Sequence, residues 1–440
     1  MLKYRDLPHA NGWPLLGDLP GFSKDPLGFL TRLHAEHGNI ARLQVGPIKG
    51  VSINDPELIH QVLAKQHESV RKSIDTRWLS SVLGDGLVTS EGEFWKRHRK
   101  LLQPAFHNTK IRIYADIMDR RTRELVSEWK PGVELDVHEE MNQLTLRVVA
   151  EALFGVDVSK YYDDIAKPLD VVMRRFEEML TSMVPLPPQI PVAANRRAAK
   201  AVKQLDQALA EIIRDRRKLP EGDDLLSELL RAEPAERFND RELRDELLTL
   251  LVAGHETTAL ALTWALMLIA QHPRVEAKLL EETRAKPGIV RTTRELPYHE
   301  RVVNEAMRLY PPVWGIGREL VRDADIGGYH LTKGTQLYFA QWVTQRDAQY
   351  FERPKDFDPE RWEEPKHPRH AFFPFGAGPR VCVGLNFAML EAVVILSRVV
   401  EAFHLDLTKN QEIDLMPAVT LRPRHGLLAT PRKRVEEQAA

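Results

Sequence analysis

Phe375-Gly376-Ala377-Gly378-Pro379-Arg380-Val381-Cys382-Val383-Gly384 holds the single cysteine of a 440-residue chain. Three glycines and a proline mark the stretch as a loop, and the amphipathic spacing from Leu385 onward turns it straight into a helix. With no second cysteine, a disulfide within the chain is excluded. The placement suits a thiolate instead. Arg380 stands two residues away, and the helix beginning near Gly384 directs its positive end at the sulfur; both effects lower a cysteine pKa. Glycine removes the side chains that would keep backbone N–H groups from the sulfur. An isolated cysteine is most often a buried structural residue, and the surrounding pattern is what argues otherwise here.

The rest of the composition is that of an ordinary soluble globular protein, with 43% hydrophobic and 28% charged residues. A formal net charge of −1 gives no electrostatic basis for binding nucleic acid or an anionic membrane. A lone cysteine suits a reducing cytoplasm. The first residues, Met1-Leu2-Lys3-Tyr4-Arg5-Asp6-Leu7-Pro8, contain no apolar run of the signal-peptide kind. Neither a leader nor a membrane anchor is therefore expected.

Along the chain, the Pro- and Gly-rich first 22 residues read as extended surface chain. Short strands are expected at Ile40–Val45, Gly50–Ile53, Asp325–Tyr329 and Thr335–Ala340. Helical spacing dominates from Glu91 to Asp240, with runs at Ile113–Trp129, Glu139–Leu153 and Ala193–Lys218, and returns at Tyr298–Tyr310 and Leu385–Phe403. In the last of these Leu385, Ala388, Met389, Ala392, Val393, Leu396 and Val400 share one face. Val184-Pro185-Leu186-Pro187-Pro188-Gln189-Ile190-Pro191 reads as a loop: a lid, a membrane-touching tip or a plain connector. No repeat or linker divides the chain, so one domain over residues 1–440 is expected.

Arg241–His272 is long and apolar enough to raise the question of a membrane span. Its centre answers it, since Ala253-Gly254-His255-Glu256-Thr257-Thr258 sets an ionisable pair, two hydroxyls and a glycine in the middle. A mid-helix glycine costs about 1 kcal/mol relative to alanine, and a buried carboxylate costs more unless hydrogen-bonded. Gly254 would let a flat ligand lie against the helix, and Thr257 would bond back to a carbonyl and open a kink or groove. A polar stripe facing a neighbouring helix is the plain alternative. Farther on, Glu305 and Arg308 share a helical face, followed by Pro311-Pro312 and by Phe357-Asp358-Pro359-Glu360-Arg361-Trp362.

These segments, in this order, resemble the cytochrome P450 family: the cysteine loop as F-G-x-G-x-R-x-C-x-G, the helix centre as A-G-x-[D/E]-T-T, then E-x-x-R, P-E-R and, at Trp95–Arg99, W-x-x-x-R. The likeness runs over nearly the whole chain, with Trp362 a mild variation on a commoner phenylalanine. It implies a mainly α fold of about a dozen helices around haem b, with small β-sheets. Cys382 would be the iron ligand within a loop that includes Phe375 and Gly384. Trp95, Arg99, Arg318 and Arg380 would meet the haem propionates, with Gly254 on the distal side. Thr257 would face dioxygen and Glu256 would join the proton relay. Glu305, Arg308 and Arg361 would interlock behind the loop. His98 is read as non-ligating.

The activity implied is insertion of one oxygen atom of O2 into a hydrophobic terpenoid, steroid or fatty acid by a soluble, cytoplasmic, monomeric enzyme. The chain after the cysteine loop is too short for a fused flavin reductase. Electrons from NAD(P)H would then come through a separate ferredoxin or flavodoxin with its reductase, steered by Lys96, Arg97, Lys100, Lys366, Arg369 and His370. Pocket walls inferred from the family are Leu79, Val82, Leu87, Met179, Met183, Leu250, Ala253, Val313, Trp314 and Ile316, with Arg77 a candidate carboxylate anchor. A peroxide-driven peroxygenase would not need Glu256 and Thr257. A haem-binding sensor or carrier would need no proton relay, and a cysteine hydrolase lacks a family-like histidine base.

Overall fold

The structure is a computed structural model that describes residues 2–10, 12–46, 48–155, 162–181, 190–219, 222–231 and 237–434. Six helices and one sheet position the site: α1 (Gly92–Leu102), α2 (Val137–Phe154), α3 (Ala193–Lys218), α4 (Asp240–Gln271), α5 (Pro297–Leu309) and α6 (Leu385–Ala402). The expected helices fall within a few residues of these bounds. The expected run Ile113–Trp129 is a helix spanning Asn108–Glu128. The loop expected at Val184–Pro191 lies almost wholly outside the described residues.

Helix α4 starts where its sequence says it should. The Asn239 side chain accepts the Glu242 N–H at 2.9 Å while the Glu242 carboxylate accepts the Asn239 N–H at 2.9 Å, a reciprocal cap that satisfies two orphan donors. It stops before Pro273, which forces His272 out of helical geometry at φ −129° and ψ 78°. By length and composition α4 is able to cross a membrane, yet 72% of its most apolar window is buried inside the protein. It is a core helix. Helix α5 ends the same way, with Tyr310 extended ahead of Pro311. The expected one-sided face of α6 proves too narrow, since every residue from Met389 to Val400 is buried.

The main sheet has strands β1 (Ile40–Val45), β2 (Ile48–Ile53), β3 (Val70–Lys72), β4 (Ile316–Leu320) and β5 (Gln336–Phe339) in the order β1-β2-β5-β4-β3. Only β2 and β5 run parallel. The single strand expected at Asp325–Tyr329 is instead a hairpin, Ala324–Ile326 with Tyr329–Leu331, turning on Gly327 and Gly328 at φ 58° and 86°. The N-terminal segment is not simply extended chain either. Leu2–Lys3 adds a strand beside Tyr329–His330, and Leu19–Lys24 is helical.

Candidate active site

The cysteine loop is built by backbone contacts. The Cys382 N–H donates to the Phe375 carbonyl at 3.0 Å and closes it. Gly378 sits at φ 68°, where a Cβ would fall 1.9 Å from the Leu63 carbonyl oxygen, so no other residue fits. Gly384 caps α6, and its N–H points to the sulfur and favours the thiolate. Arg99 of α1 donates to the Val381 carbonyl at 3.0 Å and places its charge near the same sulfur.

Burial nevertheless outweighs both and pushes the Cys382 thiol above its ordinary value. The sulfur is also accessible. Cys382 is thus exposed at its surface although it lies deep within the protein. Two expectations are corrected here. The charge acting on the sulfur is that of Arg99, not Arg380, and in the chain alone the thiol is raised rather than lowered. Iron would supply the missing stabilisation, since a coordinating thiol is deprotonated outright.

The centre of α4 shows the same signature. In an otherwise buried helix Ala253 is exposed, and Thr257 one turn later is half-buried. Thr257 Oγ1 donates to the Ala253 carbonyl at 2.7 Å, as its sequence position implied. The helix stays continuous, so this bond opens a polar notch without a break. Glu256 turns the other way and is buried, accepting from Thr420 Oγ1 at 2.9 Å with the Arg422 guanidinium at 3.3 Å. Gly254 has a different role from the one expected: its missing Cβ would come within 2.8 Å of Val149. The glycine allows α4 and α2 to approach; it does not make room for a ligand.

Glu391 was not singled out from sequence. It lies on α6, fully buried, and neither carboxylate oxygen makes a hydrogen bond. Burial pushes it well above the usual carboxylate range, with the Thr258 hydroxyl of α4 as the polar group acting against that shift. It is a buried acid at the α4–α6 contact. Its neighbourhood was illegible because a lone glutamate in an apolar helix reads as a solvent-facing position.

Behind the loop, Glu305, Arg308 and Arg361 do interlock. Both oxygens of Glu305 accept from Arg308 at 2.8 Å, and Arg361 Nε adds a third bond at 2.8 Å. The remaining Arg308 donors reach the carbonyls of Gln345, Pro354 and Asp356. Trp362 is more than a variation: its indole N–H donates to Glu305 at 2.9 Å, which phenylalanine could not do. His98 is buried, bonded through Nδ1 to Glu246 at 2.6 Å and stacked on Phe94, so it is structural.

Near the loop the charges do not balance. Arg318 is buried and pulled down to about 10 by desolvation and by Arg380. Lys72, which sequence reasoning missed, is pulled down to about 7 by desolvation, Arg318 and Arg380. The Arg380 guanidinium lies over the Trp95 indole at 3.9 Å, donates to the Ser90 carbonyl at 2.9 Å and pairs with Glu91. Its donors are thus engaged, contrary to the expectation of a free propionate contact. Glu91 and Asp75 are the acids acting on Lys72 and Arg318, and Glu91 the one acting on Arg380, so cations outnumber acids here, which suits a dianionic ligand such as haem.

Of the proposed pocket walls, Leu79, Val82, Val313 and Ile316 are half-buried and Leu87 is buried. The main chain of the Val82–Leu87 segment is tied to α4, where Asp245 accepts from the Asp85 N–H at 2.9 Å and Glu246 from the Leu87 N–H at 3.1 Å. Leu250, like Leu87, is buried in the main hydrophobic cluster. Two expectations fail. Trp314 donates to the Ala418 carbonyl and packs with Ala340 and Val343. Arg77 is held by Glu319 at 2.7 Å and is no free anchor. The side chains of Met179 and Met183 lie outside the described residues.

Residues 7–430 match the family model described as Cytochrome P450. The chain is 34% identical over 432 residues to cyclooctatin synthase of Streptomyces melanosporofaciens, covering 95% of this chain and 94% of that protein. It is 33% identical to cyclooctat-9-en-7-ol 5-monooxygenase of the same organism over 404 residues, 89% and 88% of the two chains. Pentalenene oxygenase of Streptomyces avermitilis is 30% identical over 417 residues, 92% of each.

Proposed function

The chain belongs to the cytochrome P450 family and is a monooxygenase, and from that premise we propose a cyclic terpenoid as its substrate. This choice is supported by the apolar character of the residues assigned to the pocket wall and by the engagement of Arg77. Leu79, Val82, Leu87, Ala253, Val313 and Ile316 are apolar, and Arg77, the one cation considered as a carboxylate anchor, is tied to Glu319. A fatty acid would bury its carboxylate without a partner there, which is costly. The relatives named for cyclooctat-9-en-7-ol and pentalenene are terpenoid enzymes and support the same class.

Haem b would be held by the Cys382 sulfur, with Trp95, Arg99 and Arg318 toward its propionates. When bound, it supplies dioxygen activation and C–H oxidation, assisted by electron donation from the thiolate. The residues of this chain do the rest. The apolar wall orients the substrate and excludes water. Thr257, whose proton is engaged by the Ala253 carbonyl, presents its lone pairs to the notch and accepts a hydrogen bond there. Glu256, supported by Thr420 and Arg422, takes up protons from the far side of α4 and passes them toward the notch.

The chain functions as one domain and as a monomer in the cytoplasm. It draws electrons from NAD(P)H through a ferredoxin or flavodoxin and its reductase. A hollow of about 730 Å³ lined by Trp95, Arg99, Lys100 and His107 supports a seat for such a partner, although two further lining lysines are neutralised, Lys96 by Glu93 and Lys110 by the lining residue Glu228, each at 2.7 Å. Arg97 does not contribute to it, because Glu242 holds it at 2.8 Å. The first experiment is the absorption spectrum of dithionite-reduced protein under carbon monoxide. A strongly red-shifted Soret band is expected, whereas a band typical of histidine ligation would overturn the assignment of Cys382. A titration followed by the spin-state shift then separates substrates: cyclic terpenes should give a high-spin shift at micromolar concentration. A response to long-chain fatty acids alone would reject the terpenoid assignment.

A further inference from the structure

The C-terminal ends of α4 and α5 border a hollow of about 1180 Å³ whose other walls come from residues 31–39 and 342–358. Neither Cys382, Thr257 nor any residue assigned to the substrate wall lines it. Tyr310, just past the end of α5, stacks on the Trp264 indole of α4 at 4.9 Å and meets Trp342 edge-on at 6.4 Å. Leu268, Leu309 and Phe357 line the hollow beside Tyr310 and Trp342, so much of its surface is apolar.

Arg346 interrupts that apolar wall without a counter-ion. Its guanidinium carbon lies 3.3 Å from the centre of the Trp342 ring and 5.2 Å from that of Tyr310. Nη1 is buried and makes no hydrogen bond. Desolvation pulls Arg346 down to about 9, Arg308 pushes the same way, and only the Tyr310 phenol opposes them.

The acids of the hollow are engaged elsewhere. Asp347 accepts from the Asn54 amide at 2.8 Å and from the Gln349 N–H at 2.8 Å. Asp358 holds Arg353 at 2.6 Å, and Asp356 lies 3.8 Å from the same guanidinium. Lys355, exposed on the same hollow, adds a further positive charge. Stacking on aromatic rings satisfies the faces of the Arg346 guanidinium but leaves its N–H edge open. That planar edge is a fork for a carboxylate.

We propose that this hollow is a second binding site, for a small organic acid whose carboxylate pairs with Arg346 and whose apolar body lies along Leu268, Tyr310, Trp342 and Phe357. The site stands whether or not the substrate pocket takes a terpenoid, because the two share no lining residue.

The probe is octanoate, titrated by calorimetry into the haem-loaded protein, with 1-octanol as its uncharged counterpart. Wild type should bind one octanoate. Loss of the charge-assisted contact predicts binding roughly 10- to 100-fold weaker in Arg346→Met, while octanol should not distinguish the two proteins. Wild-type crystals grown with 8-bromooctanoate locate the ligand without any substitution, and anomalous bromine density is expected in this hollow. Failure of wild type to bind octanoate, or equal affinity in wild type and Arg346→Met, would overturn the proposal. So would bromine found only beside Cys382, which would make octanoate an occupant of the substrate pocket. An equal loss of octanol binding in Arg346→Met would also overturn it, since Arg346 would then act only through packing.

Discussion

Two buried charge clusters flank the cysteine loop, and they are built on opposite plans. Behind the loop, Glu305 accepts five hydrogen bonds from Arg308, Arg361, Trp362 and the Asp358 N–H, and Arg308 uses all its N–H groups on Glu305 and three carbonyls. On the sheet, Lys72 and Arg318 oppose each other, and neither cation bonds the nearby acids Glu91 and Asp75 through its charged group. A closed cluster holds a loop rigid, because every buried ion is compensated without a ligand. An open one stores unfavourable electrostatics that only an incoming anion relieves. The contrast is between charges neutralised within the chain and charges left in surplus.

The largest expected effect breaks the closed cluster. Arg308→Leu strands Glu305 beside too few donors, and removing one partner of a buried ion pair costs about 3–5 kcal/mol. Urea denaturation of the haem-free protein should show that loss; a change below about 1 kcal/mol would mean that the cluster is not what anchors the loop.

The open cluster should respond to pH instead. Lys72 is held at about 7 in the folded chain, below its usual 10.5. Above about pH 7 the unfolded chain binds the extra proton, so this residue makes haem-free stability rise with pH up to its unfolded value. The slope is at most about 1.4 kcal/mol per pH unit. The difference between wild type and Lys72→Met across pH 7 to 10 isolates it from other groups, and an identical pH dependence would remove the idea of an uncompensated cation.

Finer changes grade the comparison. Trp362→Phe deletes one of the five bonds to Glu305 and should lower stability by about 1 kcal/mol, with haem content unchanged. Glu391→Gln should matter least, within about 1 kcal/mol, because burial already favours the uncharged form of this acid. A loss of several kcal/mol there would show an ionised carboxylate and add a third charge cluster to the molecule.

Much of this was legible in the sequence. The end of α5 before Pro311 was read from the sequence, whereas the Asn239–Glu242 cap of α4 and its stop at Pro273 are local signals of the same kind that went unused. The Glu305–Arg308–Arg361 interlock was also legible, whereas the charge acting on Cys382 was misassigned to Arg380. The roles that changed were those set by distant chain. Gly254 answers to Val149, Arg77 to Glu319, Arg97 to Glu242 and Trp314 to Ala418.

By itself, then, the sequence determined the helical architecture, the loop that presents Cys382 and the residue types needed for thiolate ligation. Periodicity, caps and glycine punctuation act within a few residues, so they survive in any context the chain adopts. Only the tertiary structure decided which charges are neutralised. Whether Lys72 meets an acid or another cation depends on the register of β3 against β4, whose residues are more than 240 positions apart. Coulomb interactions follow distance in space, which a linear pattern does not record.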